Sequence, residues 1–327
     1  MHRLLALLGA ATIGFAAQAQ TTARQDVTLR LDWIPSWYHA PFYHALERGF
    51  YRDAGLNVTI GQGKGSMLTA QVIASGSETF GFMDFSTMMI AAGRGAPLKA
   101  VGGAIQRSPD SVITLTTSNI KSPKDLEGKR WGFTAGSASE NLFAVFAAKA
   151  GVDESKITRS TMDAGAKVPS LLAGKVDFIA SWGATVNPFI VKSGKTPLNF
   201  LYADYGVNVI ARALVTTHST IAARPEVVKV FVAATARGIE DSIRDPVLAV
   251  DSFIAQQPGL KGSRDELIAQ MKTYGDFIHS KATVGKPMLW MAAEDVASTY
   301  EVAKQVANTA FTIPVSNLYT NEFLLSQ

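Results

Sequence analysis

Short β-rich runs alternate with helical patterns from Val27 onward, and this alternation restricts the fold more than any single residue does. Residues 27–31, 57–60, 79–83 and 98–102 read as strands, and residues 40–48, 67–74 and 87–92 as the helices between them, the first stopped by Gly49. Strand and helix in series favour a parallel or mixed sheet with helices on its faces, of the doubly wound kind. In such α/β sheets small ligands bind beyond the carboxyl ends of the strands.

The series is interrupted twice. A polar turn, Arg107-Ser108-Pro109-Asp110, precedes an extended run at 112–116, and a second extended run at 209–216 precedes Ala223-Arg224-Pro225-Glu226. Between them lies a self-contained unit: a helix start at Ser122-Pro123-Lys124-Asp125-Leu126, a strand at 130–133, a helix at 140–150, a strand at 176–180 and a last helix near 186–192. After Glu226 the pattern turns helical, most clearly at 227–243, 246–254 and 288–305. A chain of 327 residues exceeds what one core organises, and its 47% hydrophobic content supplies two. These patterns imply a two-domain α/β protein.

The first residues carry Arg3, an apolar run over 4–15 and then Ala17-Gln18-Ala19. That is a charged start, an apolar stretch too short to span a bilayer and small residues where a signal peptidase reads, so export with cleavage after Ala19 is expected. No other run reaches the roughly 18–20 apolar residues of a membrane helix. With no cysteine, neither a lipid-anchored cysteine nor a disulfide is available, and a protein free in the periplasm follows. The 31 Lys and Arg against 27 acids are scattered and include no basic run with interleaved aromatics, which leaves nucleic-acid binding without support.

One stretch is unusually rich in rings: Leu31-Asp32-Trp33-Ile34-Pro35-Ser36-Trp37-Tyr38-His39-Ala40-Pro41-Phe42-Tyr43, followed by Ala45-Leu46-Glu47-Arg48-Gly49-Phe50-Tyr51 and Ala54-Gly55-Leu56. Its pattern W-x-P-x-x-Y-H, then A-x-x-x-G-F/Y-Y/F-x-x-x-G-L, resembles the start of the periplasmic solute-binding proteins of ABC importers for thiamine pyrimidine precursors such as formylaminopyrimidine, and for sulfonates, taurine and riboflavin. It is also similar to the fungal pyrimidine synthase of the same fold. The resemblance continues through Ser122-Pro123-Lys124-Asp125-Leu126-Glu127-Gly128-Lys129 and Leu171-Leu172-Ala173-Gly174-Lys175-Val176-Asp177 to Ser316-Asn317-Leu318-Tyr319-Thr320-Asn321-Glu322-Phe323, the last phrase being closest to the synthase branch. It implies a type II periplasmic binding protein, α/β, with two lobes joined by a two-strand hinge: signal peptide 1–19, first lobe 26–108 and 213–327, second lobe 109–212.

Asp32 and Trp33 follow the first strand. A Trp face stacks a heterocycle and a carboxylate accepts hydrogen bonds from ring amines, and the resemblance places a ligand-contacting Trp here; otherwise Trp33 packs under the first helix and Asp32 caps a turn. Tyr38 and His39 match the family phrase in the loop into the helix, where exposed rings, Trp37 among them, close over a ligand; His39 equally suits a capping or surface role. The run Gly61-Gln62-Gly63-Lys64-Gly65-Ser66 lets backbone N–H groups approach a ligand at a helix start, or is an ordinary turn with Ser66 as N-cap; it lacks the Walker order. Asp84 and Ser86 occupy the next strand-to-helix junction.

In the second lobe, Gly136, Ser137 and Ser139 stand between a strand and a helix, where amides and hydroxyls hold a carboxylate, sulfonate, phosphate or carbonyl oxygen. In the resembling sulfonate binders a Gly-Ser segment here contacts the anionic head; helix capping by either serine is compatible with that role. Trp182 and Asn187 follow the strand at 176–180 and form an opposing wall, unless Trp182 packs between the lobes.

The resemblance implies a monomeric receptor without cofactor or metal, which captures one small molecule and delivers it to an ABC permease and its ATPase. The first-lobe aromatics and the terminal phrase favour a thiamine pyrimidine precursor or related nitrogen heterocycle. The Gly-Ser helix start and the slight basic excess keep an organic sulfonate or aromatic carboxylate as an alternative, although Asp32 repels an anion unless a cation compensates it. A sensor for a membrane kinase would use the same pocket. The synthase resemblance offers an enzyme alternative, built on a donor histidine, pyridoxal phosphate on a lysine and a cysteine-rich iron motif. Here Thr87 stands at the histidine position and Met83 at the lysine position, and cysteine is absent. Neither G-x-S-x-G nor H-E-x-x-H occurs.

Overall fold

The computed structural model describes residues 24–307 and 312–324; the segment 1–19 read as a signal peptide lies outside them. The strands, in chain order, are β1 (Gln25–Arg30), β2 (Leu56–Gly61), β3 (Phe80–Met83), β4 (Leu98–Ile105), β5 (Asp110–Leu115), β6 (Arg130–Phe133), β7 (Thr158–Thr161), β8 (Phe178–Trp182), β9 (Pro197–Leu201) and β10 (Arg212–Thr217). They form two five-stranded sheets, ordered β2-β1-β3-β10-β4 and β7-β6-β8-β5-β9. In each sheet four strands share one direction, and the fourth place in the order is taken by an antiparallel strand that has just arrived from the other sheet. The chain crosses through residues 106–109 and returns through 202–211, so that Arg212 opens β10 in the first sheet. The two crossings meet where the Ala211 amide donates to the Ile105 carbonyl at 2.8 Å.

Burial follows the sequence pattern. Strand β5 is buried at all six positions and β4 at all but one, as expected for strands covered on both faces by helices. In the first lobe the long helix Pro225–Arg244 opens with proline, whose missing N–H costs nothing at a helix start, and turns Val228, Phe231, Val232 and Ile239 onto the sheet. Phe231 stacks on Phe80 with centroids 3.9 Å apart and on Tyr51 at 5.5 Å. The second lobe closes around Trp131, stacked on Phe143 at 4.0 Å, with Phe146 against Tyr202 at 4.5 Å. Each such ring contributes about 1.5–3 kcal/mol by leaving water.

Three local expectations change. The helix expected over 288–305 is Ala293–Ala307. The preceding residues are used elsewhere: Leu289 is buried with φ 71°, its carbonyl accepts from Gly103 at 2.8 Å, and the Met291 amide donates to Asn321. Strands β7 and β9, absent from the sequence reading, form the edges of the second sheet, and the helix Lys167–Leu172 adds a further element. Among the described residues no helix is long and apolar enough to cross a membrane.

The floor of the first lobe depends on one close helix contact. A Cβ on Gly238 would lie 2.7 Å from Ala45 Cβ and 2.8 Å from the Pro41 carbonyl oxygen, at the helix that carries the aromatic loop. Gly238→Ala is therefore expected to destabilise the protein by about 1–3 kcal/mol. Urea unfolding should show a lower midpoint with an unchanged slope.

Candidate ligand-binding site

A cavity of about 600 Å³ opens beyond the carboxyl ends of the parallel strands of both sheets, within the size range of small-molecule sites. The first lobe lines it with the loop after β1, the start of the helix Ser66–Ala74 and Arg212 of β10. The second lobe lines it with the turn after β6, the segment after β7 that leads to Lys167, and the end of β8 with the helix that follows. Its mouth is apolar on both sides, with Ile34 at 54% exposure facing the first lobe's edge and Phe189 at 46% on the second's.

Arg212 is the electrostatic centre of the first wall. Its Nε donates to Asp32 Oδ2 at 2.7 Å, its Nη1 donates to the Ala211 carbonyl at 2.6 Å, and Nη1 stands 3.8 Å from Asp84 Oδ2. His39 completes the pair. Its Nδ1 accepts from the Ser36 amide at 3.0 Å, which leaves Nε2–H to donate to Asp32 Oδ1 at 2.8 Å and fixes a neutral tautomer. Burial holds the His39 pKa below the ordinary histidine value, against the pull of Asp32. Burial also opposes ionisation of Asp32, but Arg212 and the His39 bond outweigh it and set its pKa low. At Asp84 burial wins and the pKa is raised, despite Arg212 and the bonds from Ser86 and Thr87. Arg212, Asp32, His39 and Asp84 are all buried, so the charges here depend on one another.

The second wall is built around Asp110. Its Oδ1 accepts from Ser139 Oγ and from Trp182 Nε1 at 3.1 Å, and its Oδ2 accepts from Ser108 Oγ at 2.7 Å. Trp182 lies between the lobes: the Arg212 guanidinium sits 4.6 Å from its ring centroid, and the Tyr38 ring 4.5 Å away. Lys167 is 7% exposed at the start of the helix Lys167–Leu172, and its Nζ donates to the Ala180 carbonyl at 2.9 Å. Burial lowers its pKa from 10.5 to about 8, with Asp110 as a weaker opposing influence.

The family model described as NMT1/THI5 like matches residues 36–249, about two thirds of the chain. The chain belongs to the NMT1/THI5-like family. Its relatives include the riboflavin-binding protein RibY of Chloroflexus aurantiacus, 26% identical over 96% of this chain and 90% of the relative. The formylaminopyrimidine-binding protein of Halalkalibacterium halodurans is 25% identical over 78% and 77%. The 4-amino-5-hydroxymethyl-2-methylpyrimidine phosphate synthase of Legionella pneumophila is 24% identical over 94% of both chains. Among solved structures, the alkanesulfonate-binding protein SsuA of Xanthomonas axonopodis pv. citri, bound to MOPS, superposes with a TM-score of 0.70 at 15% identity, covering 91% of this chain and 100% of that one. The two-lobed α/β architecture is thus that of the periplasmic binding proteins.

In this NMT1/THI5-like protein, seven of the residues singled out in the sequence line the cavity: Asp32, Trp33, Tyr38, Ser66, Ser137, Ser139 and Trp182. The other five do not. His39, Asp84 and Ser86 are fully buried behind the first wall and hold Asp32 and Arg212 in place. Gly136 lies beside the cavity, with its carbonyl oxygen 3.4 Å from where a Cβ on Gly65 would stand. Asn187 is on the helix Gly183–Lys192, whose cavity-lining residues are Thr185, Val186 and Phe189, and its amide lies near Gly183 and Asn199 instead.

Trp37, expected as an exposed ring, is 1% exposed, packed on Tyr274 and Trp182, and donates from Nε1 to Thr185 Oγ1 at 2.9 Å. Ser66 is the first residue of its helix rather than the cap, and its hydroxyl accepts from the Asp84 amide at 3.0 Å. The glycines before it serve a loop contact. A Cβ on Gly63 would lie 2.1 Å from the Leu31 carbonyl oxygen, and the Gly65 amide donates to the Asp32 carbonyl at 2.7 Å. Ser137 caps the helix Ala138–Lys149, accepting from the Glu140 amide at 3.3 Å. Arg212 and Lys167 were missed altogether. The only hint of a cation was that Asp32, in a cleft, would need one.

Two outcomes follow. Arg212→Met leaves Asp32 buried without its cation and should destabilise by about 3–5 kcal/mol; adding Asp32→Asn should restore roughly half of that in urea unfolding. Lys167→Met should stabilise the family member. Lowering a lysine from 10.5 to about 8 corresponds to roughly 3 kcal/mol, offset in part by the lost Ala180 bond. Below pH 8 both folded and unfolded chains hold the proton and the full cost is present. Between pH 8 and 10.5 the unfolded chain binds it more tightly, so the native protein's stability rises with pH. The advantage of Lys167→Met should therefore be greatest near pH 7 and vanish towards pH 10.5, as read from unfolding midpoints across that range.

Proposed function

We propose that the protein captures one small, flat-ringed organic solute between its lobes in the periplasm and delivers it to the permease and ATPase of an ABC importer. The observation that carries this reading is a cavity bounded from both lobes by Trp33, Tyr38 and Trp182, with a few fixed polar groups between them. Trp33 is half-exposed and belongs to none of the buried core clusters, which suits a ring held for a ligand. Closure about the two crossings would bring both walls onto the solute, and contacts with both lobes at once would bias that hinge motion. A ring held in this way binds at about the micromolar level, roughly 8 kcal/mol.

A thiamine pyrimidine precursor or related nitrogen heterocycle is the favoured ligand, supported by the ring-lined walls and by relatives whose names include formylaminopyrimidine and riboflavin binding. An organic sulfonate or aromatic carboxylate is the second reading, favoured by Lys167 and Ser137 on the opposite wall, the Ser139 hydroxyl proton being given to Asp110. Catalysis of the synthase kind is disfavoured by this chain's own residues. It has no cysteine, Met83 is buried, and the Thr87 hydroxyl is committed to Asp84 Oδ1 at 2.8 Å.

Native mass spectrometry of the protein before and after mild denaturation tests the reading. Release of a ring compound that rebinds one-to-one, chemically unchanged, is the expected result; a chemically altered product would favour an enzyme. Trp33→Ala should weaken rebinding of that compound by about 10–100-fold, in keeping with 1–3 kcal/mol for a stacked ring, with little change in the unfolding midpoint. Unchanged affinity in calorimetry would remove Trp33 from the site.

A further inference from the structure

The cavity holds two buried cations, and only one of them has a counterion. Arg212 is compensated by Asp32 at 2.7 Å and faced by Asp84 at 3.8 Å. Lys167, on the other wall, has one hydrogen bond, to the Ala180 carbonyl, and no carboxylate within ion-pair distance among the described residues. The acid that acts on it from a distance, Asp110, has its oxygens occupied by Ser108, Ser139 and Trp182. An ammonium group has three protons to donate, and two of those of Lys167 have no acceptor among the described residues.

The surroundings offer room rather than solvation. Val168, Pro169 and Leu172 flank Lys167 on the cavity wall, while Ala164 and Gly165, just before it, carry almost no side chain. A buried cation without a partner costs stability, and its lowered pKa expresses that cost. Within the second lobe Asp110 favours a charge at this position from a distance, without bonding the ammonium. A group that destabilises the protein and faces a ligand cavity is accounted for by what enters the cavity.

We propose that Lys167 is the specificity-determining residue of the site and that it receives an oxyanion carried by the ring compound, so that the acid end of the ligand points into the second lobe. Ser137 and Ser139 line the same wall and lie at the start of the helix Ala138–Lys149, where a negative group is also favoured. Asp32 does not oppose this arrangement, because it lies on the other wall with both oxygens engaged by His39 and Arg212. The inference rests on the reading of the cavity as a ring-binding site, and names which chemistry the ring must carry and where.

Calorimetric titration at pH 7 with two matched pairs provides the test: pyrimidine-5-carboxylate against pyrimidine-5-carboxamide, and benzenesulfonate against benzenesulfonamide. The native protein should bind the acid of at least one pair at least about tenfold more tightly than its amide, the effect of a charge-assisted bond in a dry site. Lys167→Met and Lys167→Gln should bring that ratio to within about twofold of unity, and Lys175→Met, at an exposed lysine of the same lobe, should leave it as in the native protein. Thermal melting of each variant establishes that it is folded. If the amides bind as well as the acids, or if the preference survives in both Lys167 variants, the assignment of Lys167 is overturned while the ring-binding reading stands. If none of the four compounds binds the native protein at millimolar concentration, the ring-binding reading fails and the assignment fails with it.

Discussion

The buried pair between Arg212 and Asp32 is the interaction on which the rest of the site depends. Asp32 follows the first strand, Asp84 follows the third, and Arg212 opens the strand that returns from the second lobe, so one guanidinium ties together three parts of the fold that are distant in sequence. Such a pair adds little net stability, because desolvating two charges offsets most of their attraction. Its effect is on geometry. With His39 fixed from behind by the Ser36 amide, the Asp32 carboxylate cannot turn, and the guanidinium presents its face to Trp182 of the other lobe. A buried ion pair is thus used here to orient an aromatic wall.

The same guanidinium lies where the lobes meet, and the contacts around it differ in weight. The Lys192–Glu266 pair at 2.9 Å is largely exposed on the lysine side and contributes little, since solvent screens it. The bond from Trp37 Nε1 to Thr185 Oγ1 is part-buried and joins the loop after β1 to the helix that lines the second wall, while Gln270 donates to the Thr185 carbonyl at 3.2 Å. Tyr38, Trp182 and Arg212 form a contiguous cluster across the cleft, the two rings tilted by 46°. These contacts lie next to the cavity, where a ligand touching both walls acts on the balance between open and closed arrangements, while the helix Ala293–Ala307 packs Val302 on the second lobe's core away from it.

The doubly wound core was legible because its signals are local. Strands such as 79–83 and 98–102 are short apolar runs bounded by turn residues, and the helix over 227–243 keeps its apolar face for five turns. Strand β7 was not legible: Thr158–Thr161 is a polar, largely exposed edge strand with no alternation. The segment at 288–292 looked helical because Met288, Leu289 and Met291 are good helix formers, and tertiary bonds to Gly103 and Asn321 decide otherwise. In the site, Trp33, Tyr38 and Trp182 could be singled out because aromatic residues at strand ends are conspicuous. Which ring of Trp33, Trp37 and Tyr38 faces inward depends on the first helix's packing, and Trp37 was misplaced for that reason. Arg212 lies 180 residues from Asp32, and Lys167 sits in the unremarkable Ala164-Gly165-Ala166-Lys167-Val168; no local pattern distinguishes either from a surface residue.

The two cations also separate structure from function within one site. Proteins of this architecture include binders of several ligand classes and, among the relatives, an enzyme, so the fold by itself decides nothing about chemistry. What distinguishes a residue retained for packing from one retained for a ligand is whether the protein satisfies it. Arg212 is satisfied: two carboxylates, a carbonyl and two aromatic faces account for its burial. Lys167 is not, since one carbonyl accounts for a third of its donors and its charge is met only at a distance, by an Asp110 whose oxygens are bonded elsewhere. An unmet requirement at a cavity wall is information about the solute that meets it, and here it asks for negative charge on the side away from Asp32.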